Sequence, residues 1–389
     1  MEHKTRIKGN VHYVGVNDRN KHRFEGMWPL PYGVSYNSYL IDDEMVALVD
    51  TVDICYFEVY LRKIKQVIGE RPINYLIINH MEPDHSGSIR LIKQHYPGII
   101  IVGNKQTFGM IEGFYGVTGE QYLVKEGDFL ALGHHKLRFY MTPMVHWPET
   151  MMTFDETDGV LFSGDGFGCF GTVDGGFLDT RINVDKYWGE MVRYYSNIVG
   201  KYGSPVQKAL QKLGGLPISA ICSTHGPVWT ENIAKVIGIY DRLSRYDADE
   251  GVVIAYGSMY GNTEQMAEAI AEELSAQGVK NIVMHNVTKS HPSYIIADIF
   301  RYKGLIIGSP TYSNQIFPEV EALLSKILLR EVKGRYLGYF GSFAWAGAAV
   351  KRMAEFAEKS KFEIIADPVE MKQAMKDITY EPVSYTHLT

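Results

Sequence analysis

Apolar and polar positions divide the chain into two stretches with different rhythms. Before about residue 250, short apolar or alternating runs are separated by turns, and helical patterns then come between them. Val46–Asp50, Tyr75–Asn79, Ile99–Gly103, Lys136–Met141, Val160–Ser163 and Ser219–Ser223 carry the β pattern. Of the last five, all but the run at Ile99 stop beside a His, an Asp or a Gly-rich segment. Strand ends are where open sheets place their sites. Lys235–Tyr246 has the spacing of a closing helix, and Asp247–Gly251 reads as a short acidic linker. From Val252 the pattern alternates strictly. Val252–Tyr256, Ile282–Val287, Leu305–Ser309, Tyr336–Gly341 and Phe362–Ile365 read as strands, with helical segments such as Thr263–Gln277 and Pro318–Leu329 between them. Five parallel strands with crossover helices predict a doubly wound sheet. The pattern thus predicts two domains, residues 1–249 and 250–389.

Composition narrows the function classes. The 389 residues are 46% hydrophobic and 22% charged, with a net charge of −6 spread along the chain. No clustered basic face of the kind that binds nucleic acid or anionic membrane is present in this pattern. Met1–Asn10 is charged and has no apolar signal core, and no apolar run approaches the roughly 20 residues of a membrane helix. Cys55, Cys169 and Cys222 lack CxxC spacing, so they read as reduced, buried structural thiols of a cytoplasmic protein.

The densest chemistry is His80-Met-Glu82-Pro-Asp84-His85, directly after the run Tyr75–Asn79. Pro83 stiffens the loop, so its four potential metal ligands lose little entropy on binding. Three further candidates follow at strand ends: His146 in Val145-His-Trp-Pro-Glu149, Asp165 in Ser163-Gly-Asp-Gly-Phe167, and His225 in Thr224-His-Gly-Pro227. Singly, each reads as a turn or loop residue. Together with the loop cluster they point to a metal centre. His134-His135 reads as a hairpin turn, and His3, His12, His22 and His387 as solvated side chains.

The second stretch carries Tyr256-Gly-Ser-Met-Tyr-Gly-Asn-Thr263 between a strand and a helix. Its hydroxyls and successive N–H groups suit a phosphate at a helix N-terminus. The loop has neither the Gly-Lys-Ser/Thr ending of a triphosphate loop nor a GxGxxG. It resembles the flavodoxin phosphate loop, and FMN meets its requirement for a monophosphate bound without lysine. Ser309-Pro310-Thr311-Tyr312-Ser313-Asn314 and Gly341-Ser342-Phe343-Ala344-Trp345-Ala-Gly347 follow the next strands at the same edge. The FMN contacts expected are Ser258, Met259, Tyr260, Gly261, Asn262 and Thr263, residues 310–314, residues 342–345 and Gly347. Tyr312 and Trp345 are placed against the ring; a core position is the other reading of Trp345.

In order and spacing, from Trp28 to about Asp367, these motifs resemble the flavodiiron branch of the metallo-β-lactamase superfamily. The hydrolytic zinc members normally have His where Glu82 stands. Three carboxylates beside four imidazoles suit iron better than zinc, and the added negative charge favours the ferric state. The resemblance implies an N-terminal αββα sandwich and a C-terminal flavodoxin-like sheet. It implies one iron on His80, Glu82 and His146, another on Asp84, His85 and His225, and Asp165 bridging them. It further implies reduction of O2 to water, of NO to N2O, or both, with rubredoxin or a similar protein as the electron donor. A head-to-tail homodimer, or a dimer of dimers, would bring the FMN of one subunit to the irons of the other. Trp147 falls in the segment expected at that junction, with plain packing as its alternative, and Tyr195 resembles the family tyrosine near the irons. The alternative activity is a zinc-dependent hydrolase with an accessory flavodoxin domain. A third reading, an electron shuttle without catalysis, leaves the full ligand set unexplained. After Met371–Met375 a flavodoxin would complete an amphipathic helix, whereas Asp377–Thr389 shows no helical face.

Overall fold

The computed structural model describes residues 5–376, so His3, His387 and the tail from Asp377 lie outside the described residues. These form two compact units. One contains the described residues up to Tyr195 together with Tyr202–Asp241; the other contains Ser196–Lys201 and the described residues from Arg242 onward.

The first unit is built on two sheets. Seven strands run in the order Arg6–Lys8, Val11–Tyr13, Tyr39–Ile41, Ala47–Val49, Tyr75–Ile77, Ile100–Gly103 and Gln121–Leu123. Five more run Phe129–Ala131, Lys136–Met141, Met151–Asp155, Val160–Gly164 and Ala220–Ser223. Their inner faces share one core, with Tyr39, Ile41, Val49 and Ile77 from the first sheet and Leu137, Phe139, Phe162 and Cys222 from the second. Amphipathic helices complete an αββα sandwich. The helix Phe57–Ile68 buries Phe57, Tyr60, Ile64 and Ile68, an apolar stripe at three- and four-residue spacing. Met151–Asp155, absent from the predicted strands, is buried along its whole length and has no polar alternation to reveal it.

In the second unit the order is Ile282–Asn286, Asp249–Tyr256, Tyr302–Tyr312, Tyr336–Phe343 and Glu363–Ile364, all parallel. This is the doubly wound 2-1-3-4-5 arrangement. The first of these strands begins inside the expected linker: Asp249 pairs with Tyr302, and Arg242 Nη1 donates to its carboxylate at 2.6 Å. The last strand is split. Glu363–Ile364 pairs with the start of Tyr336–Phe343, and Val369–Lys372 pairs with its end. Pro368, which has no N–H for the ladder, falls at the break.

Two expectations are corrected. His12 is buried on the strand Val11–Tyr13, its Nδ1 3.1 Å from Thr5 Oγ1, because the neighbouring strand covers it. Cys55 is exposed in the turn Ile54–Tyr56, whereas Cys169 and Cys222 are buried. His134 and His135 do occupy the connection of the hairpin Phe129–Met141, but His135 is buried, with Nδ1 2.9 Å from Asp155 Oδ2.

The loop after His225 is tied down by Asp179, a buried carboxylate that accepts from the N–H groups of Thr230, Glu231 and Asn232 and from two of their side chains. It caps the helix Ile233–Ser244 from outside. Burial acts to raise its pKa, but the Thr230 and Asn232 donors prevail and hold it below the ordinary carboxylate range. Asp179→Ala is expected to cost about 2–4 kcal/mol at neutral pH in denaturant titrations. A depressed carboxylate stabilises fully above its unfolded pKa of about 3.9 and loses that contribution as pH falls through the folded value. The gap between wild type and Asp179→Asn should therefore narrow below pH 4.

Candidate metal centre and cofactor pocket

Strand ends of both sheets deliver the metal-type side chains to one place. His80–His85 follows Tyr75–Ile77, with Pro83–Ser86 forming a single helical turn; His146 lies between Lys136–Met141 and Met151–Asp155. Asp165 follows Val160–Gly164 and His225 follows Ala220–Ser223. Gly226, at φ +82°, lets the His225 loop lie against Cys169, where any Cβ would collide with the sulfur.

All seven expected ligands are brought together, and they separate into two groups. His146 Nε2 lies 3.3 Å from His80 Nε2, 3.1 Å from Glu82 Oε2 and 3.0 Å from Asp165 Oδ2. On the other side, His225 Nε2 is 3.4 Å from Asp84 Oδ2, and His85 Nε2 is 3.6 Å from Asp84 Oδ1. Asp165 Oδ1 faces this second group, 3.2 Å from His85 Nε2 and 3.6 Å from His225 Nε2. One carboxylate thus presents one oxygen to each group. His85 is close enough to be counted with either.

Several of these atoms have no partner in the protein. Both oxygens of Asp84, both ring nitrogens of His85 and Nε2 of His225 are buried without a hydrogen bond. Buried polar atoms left in this way are costly unless a cation satisfies them. The electrostatics agree. Against the cost of burial, the charges of Asp84 and Asp165 push His85 up to about 10, and Asp165 and Glu82 hold His146 well above its usual value. Burial would raise Asp165, but the His85 and His80 imidazoles hold it well below the carboxylate range. In the metal-free chain, protons therefore supply the positive charge. Carboxylates and imidazoles in this proportion fit hard-to-borderline divalent metals such as Fe(II).

The surroundings include residues that the sequence did not mark. Glu149 Oε1 lies 2.7 Å from His80 Nδ1 and accepts from Met81 N–H at 2.9 Å. The carbonyl of Ser35 lies 2.8 Å from His225 Nδ1, and Thr224 Oγ1 donates to Asp165 Oδ1. Asp50 accepts from Asn79 N–H at 2.8 Å and so fixes the start of the ligand loop. Of these, only Glu149 had a visible signal, a carboxylate three residues after a candidate ligand.

Trp147 is half-buried, its ring 5.2 Å from that of His80. Both members of the tyrosine pair are fully buried. Tyr195 packs edge-on against Tyr240, 5.0 Å between rings, while Tyr194 lies 5.8 Å from the His225 ring with its hydroxyl buried and without a hydrogen bond. Helical phase explains this: Tyr187, Met191 and Tyr194 share one buried face of Asp185–Tyr194. A cavity of about 540 Å³ opens onto the centre, and of the seven ligands only Glu82 and Asp84 reach its wall, beside Lys21, Ile54, Arg90 and Phe114.

In the second unit a cavity of about 520 Å³ lies at the carboxyl edge of the sheet. Residues 258–260, 262–263, 310–314 and 342–345 line it, together with Ala346 and Gln373. Two expected contacts do not: Gly261 takes φ +91° at the start of the helix Asn262–Ala276, and Gly347 makes room for the Glu370 carboxylate. Gln373 was missed because the strand before it was missed. Thr263 Oγ1 and Ser342 Oγ are 2.8 Å apart, and Ser258 Oγ accepts from Gly261 N–H at 3.1 Å, so hydroxyls and the helix N-terminus converge as an anion requires. Trp345 is 86% exposed at the rim, which removes the core reading of that residue.

Comparison with known proteins agrees with both sites. Residues 34–226 match the family model described as ODP family beta lactamase, and residues 254–382 match the flavodoxin model. The chain is 32% identical over 363 residues to the anaerobic nitric oxide reductase flavorubredoxin of Vibrio vulnificus, covering 92% of this chain and 73% of that protein. Its fold is similar to rubredoxin oxygen:oxidoreductase from Desulfovibrio gigas, with 31% identity, a TM-score of 0.94 and coverage of 98% and 96%. The flavodiiron protein of Giardia intestinalis gives 27% identity, a TM-score of 0.93 and coverage of 97% and 93%.

Adding Fe(II) anaerobically to metal-free protein should raise its melting temperature. A hundredfold excess over Kd stabilises by about 2.7 kcal/mol per site. Because His85 and His146 are held protonated, metal uptake should release protons at neutral pH and tighten as pH rises. Calorimetry in buffers of different ionisation enthalpy reads the release; no proton release and no thermal shift would contradict this account of the cluster.

Proposed function

The chain belongs to the flavodiiron proteins, and from that premise we propose that it reduces O2 to water, NO to N2O, or both, at two irons supplied with electrons by FMN. The observation that carries this reading is Asp165, with one oxygen toward His80, Glu82 and His146 and the other toward Asp84, His85 and His225. These sets would hold one iron each, in a domain of residues 1–249, and FMN would bind in a domain of residues 250–389. The zinc-hydrolase alternative loses support on two counts: Glu82 stands where such enzymes place His, and the similar proteins bear reductase names.

When bound, two ferrous ions and reduced FMN supply the electrons that a diatomic substrate needs. The chain's own residues then control position, protons and access. Burial and the nearby charges of Asp165 and Glu82 keep the Tyr194 phenol protonated, so it offers an O–H donor beside the irons. Trp147 covers the His80 side. Tyr195 packs on Tyr240 at the end of the same helix.

Exposed apolar side chains support the head-to-tail homodimer, alone or paired as a dimer of dimers. Met27, Ile54 and Phe114 are exposed on the metal unit, and Tyr260 and Trp345 on the flavin unit. A second copy covering them would bring FMN to the irons, whereas a rubredoxin-like donor needs the flavin edge only in passing. Three unpaired cysteines support a cytoplasmic location, and no helix among the described residues is long and apolar enough to cross a membrane.

Anaerobic stopped-flow mixing of reduced, iron-loaded protein with O2 and with NO separately tests the activity. Flavin reoxidation is expected with at least one gas, yielding water or N2O, and inertness toward both would sink the reading. Tyr194→Phe should slow that reoxidation about a hundredfold or more, the range lost with one general-acid donor. Tyr195→Phe should leave the rate near wild type.

A further inference from the structure

The two proposed iron sites have matching inner ligands. Each has two imidazoles and one terminal carboxylate, Glu82 or Asp84, and they share Asp165. The difference lies one layer out. His80 Nδ1 faces the carboxylate of Glu149 at 2.7 Å, whereas His225 Nδ1 faces the neutral backbone carbonyl of Ser35 at 2.8 Å. His85 Nδ1 has no hydrogen bond at all.

Glu149 is fully buried, and its Oε1 also accepts from Met81 N–H at 2.9 Å, which favours the anion. Its other oxygen has no hydrogen-bond partner. An anion on that side holds the His80 proton on Nδ1 and leaves the Nε2 lone pair directed at Glu82, His146 and Asp165. Asp50 is the other buried acid nearby, but it accepts from Asn79 and from His80 N–H, and from no imidazole nitrogen.

We propose that Glu149 is a positioning residue that makes the iron held by His80 harder to reduce than the iron held by His225. The inference rests on the ligand set proposed above. A hydrogen bond from Nδ1–H to a carboxylate makes imidazole a stronger, more anionic donor, and such a donor stabilises the ferric ion over the ferrous. A carbonyl partner polarises the ring less. Between two buried sheets, one added negative charge is screened less than it would be in water. The centre therefore takes up its two electrons unequally, first on the His225 side.

Glu149 also links the loop of His80 to the loop of His146, so the test has to separate charge from architecture. Glu149→Gln retains an oxygen for both donors, removes the charge, and puts its amide where Oε2 has no partner. In full-length protein loaded with FMN and iron, potentiometric titration should show two iron midpoints in the wild type. In E149Q the lower one should rise toward the upper by at least a tenfold change in oxidised-to-reduced ratio, about 59 mV for one electron. Iron and FMN content should match wild type. An unchanged lower midpoint in iron-replete E149Q overturns the inference and leaves the function intact. A wild type with no redox-active iron overturns the function instead. A measurement on unmutated protein guards against a variant that fails to load: in the zinc-loaded chain the His80 Nδ1 proton should resonate well downfield of that of His225. Equal shifts would overturn the inference.

Discussion

The first unit depends on a buried carboxylate whose charge has to be met by protons on the surrounding imidazoles or by metal cations. Asp165 is inaccessible to solvent between two sheets, with four imidazoles and two further carboxylates around it. Gathering such groups out of water costs several kcal/mol per charge unless opposite charge comes with them. Protons meet the requirement in the metal-free chain, and metal cations meet it with better geometry. Much of the surrounding structure follows from this requirement. The ligands sit at strand ends because only a rigid frame holds like charges together. The sandwich supplies a dry core large enough to exclude water. The glycine at 226 allows one ligand loop to lie flat on its neighbour.

A second constraint is that each imidazole has to face inward through one nitrogen, so the other nitrogen needs a partner elsewhere. Ser35 and Glu149 provide this for His225 and His80, and no hydrogen bond among the described residues does so for His85. A side chain fixed only through packing turns more easily than one pinned through both nitrogens. His85 is also the imidazole that lies close to both groups. Inner ligands that look symmetric thus sit in an asymmetric frame.

What the sequence disclosed follows from how local each signal is. The His80–His85 cluster and the Tyr256–Thr263 loop are contiguous, so their chemistry is readable before any folding. Strands with alternation or with Gly and His boundaries were readable too. Met151–Asp155 was not, since a strand buried on both faces has no polar face to mark its period. The split strand at Val369–Lys372 depends on where Pro368 interrupts a ladder, a tertiary event. The choice between Tyr194 and Tyr195 turned on helical phase, a signal present in Tyr187 and Met191 but easily overridden by likeness of motif. His12 looked solvated because the strand that covers it comes nearly thirty residues later, with Leu40 as its register partner.

The two cavities differ in what closes them. Trp345 and Tyr260 stand 86% and 90% exposed at the flavin cavity, and Ile54 and Phe114 are exposed at the metal cavity. Large apolar side chains left in water forgo roughly 1.5–3 kcal/mol each of burial. Among the described residues, Ile54, Phe114, Met259, Tyr260, Tyr312 and Trp345 line the two cavities while exposed, and apolar surface at such mouths suits a partner. In the homodimer proposed above, such a contact would serve electron transfer, because a flavin edge delivers electrons only to an acceptor brought close to it. The same contact would shield the irons from bulk water while a small gas still enters. In the proposed homodimer the exposed aromatics would serve the reaction: a flavin mouth sealed within its own chain would have no way to reach a metal site on another.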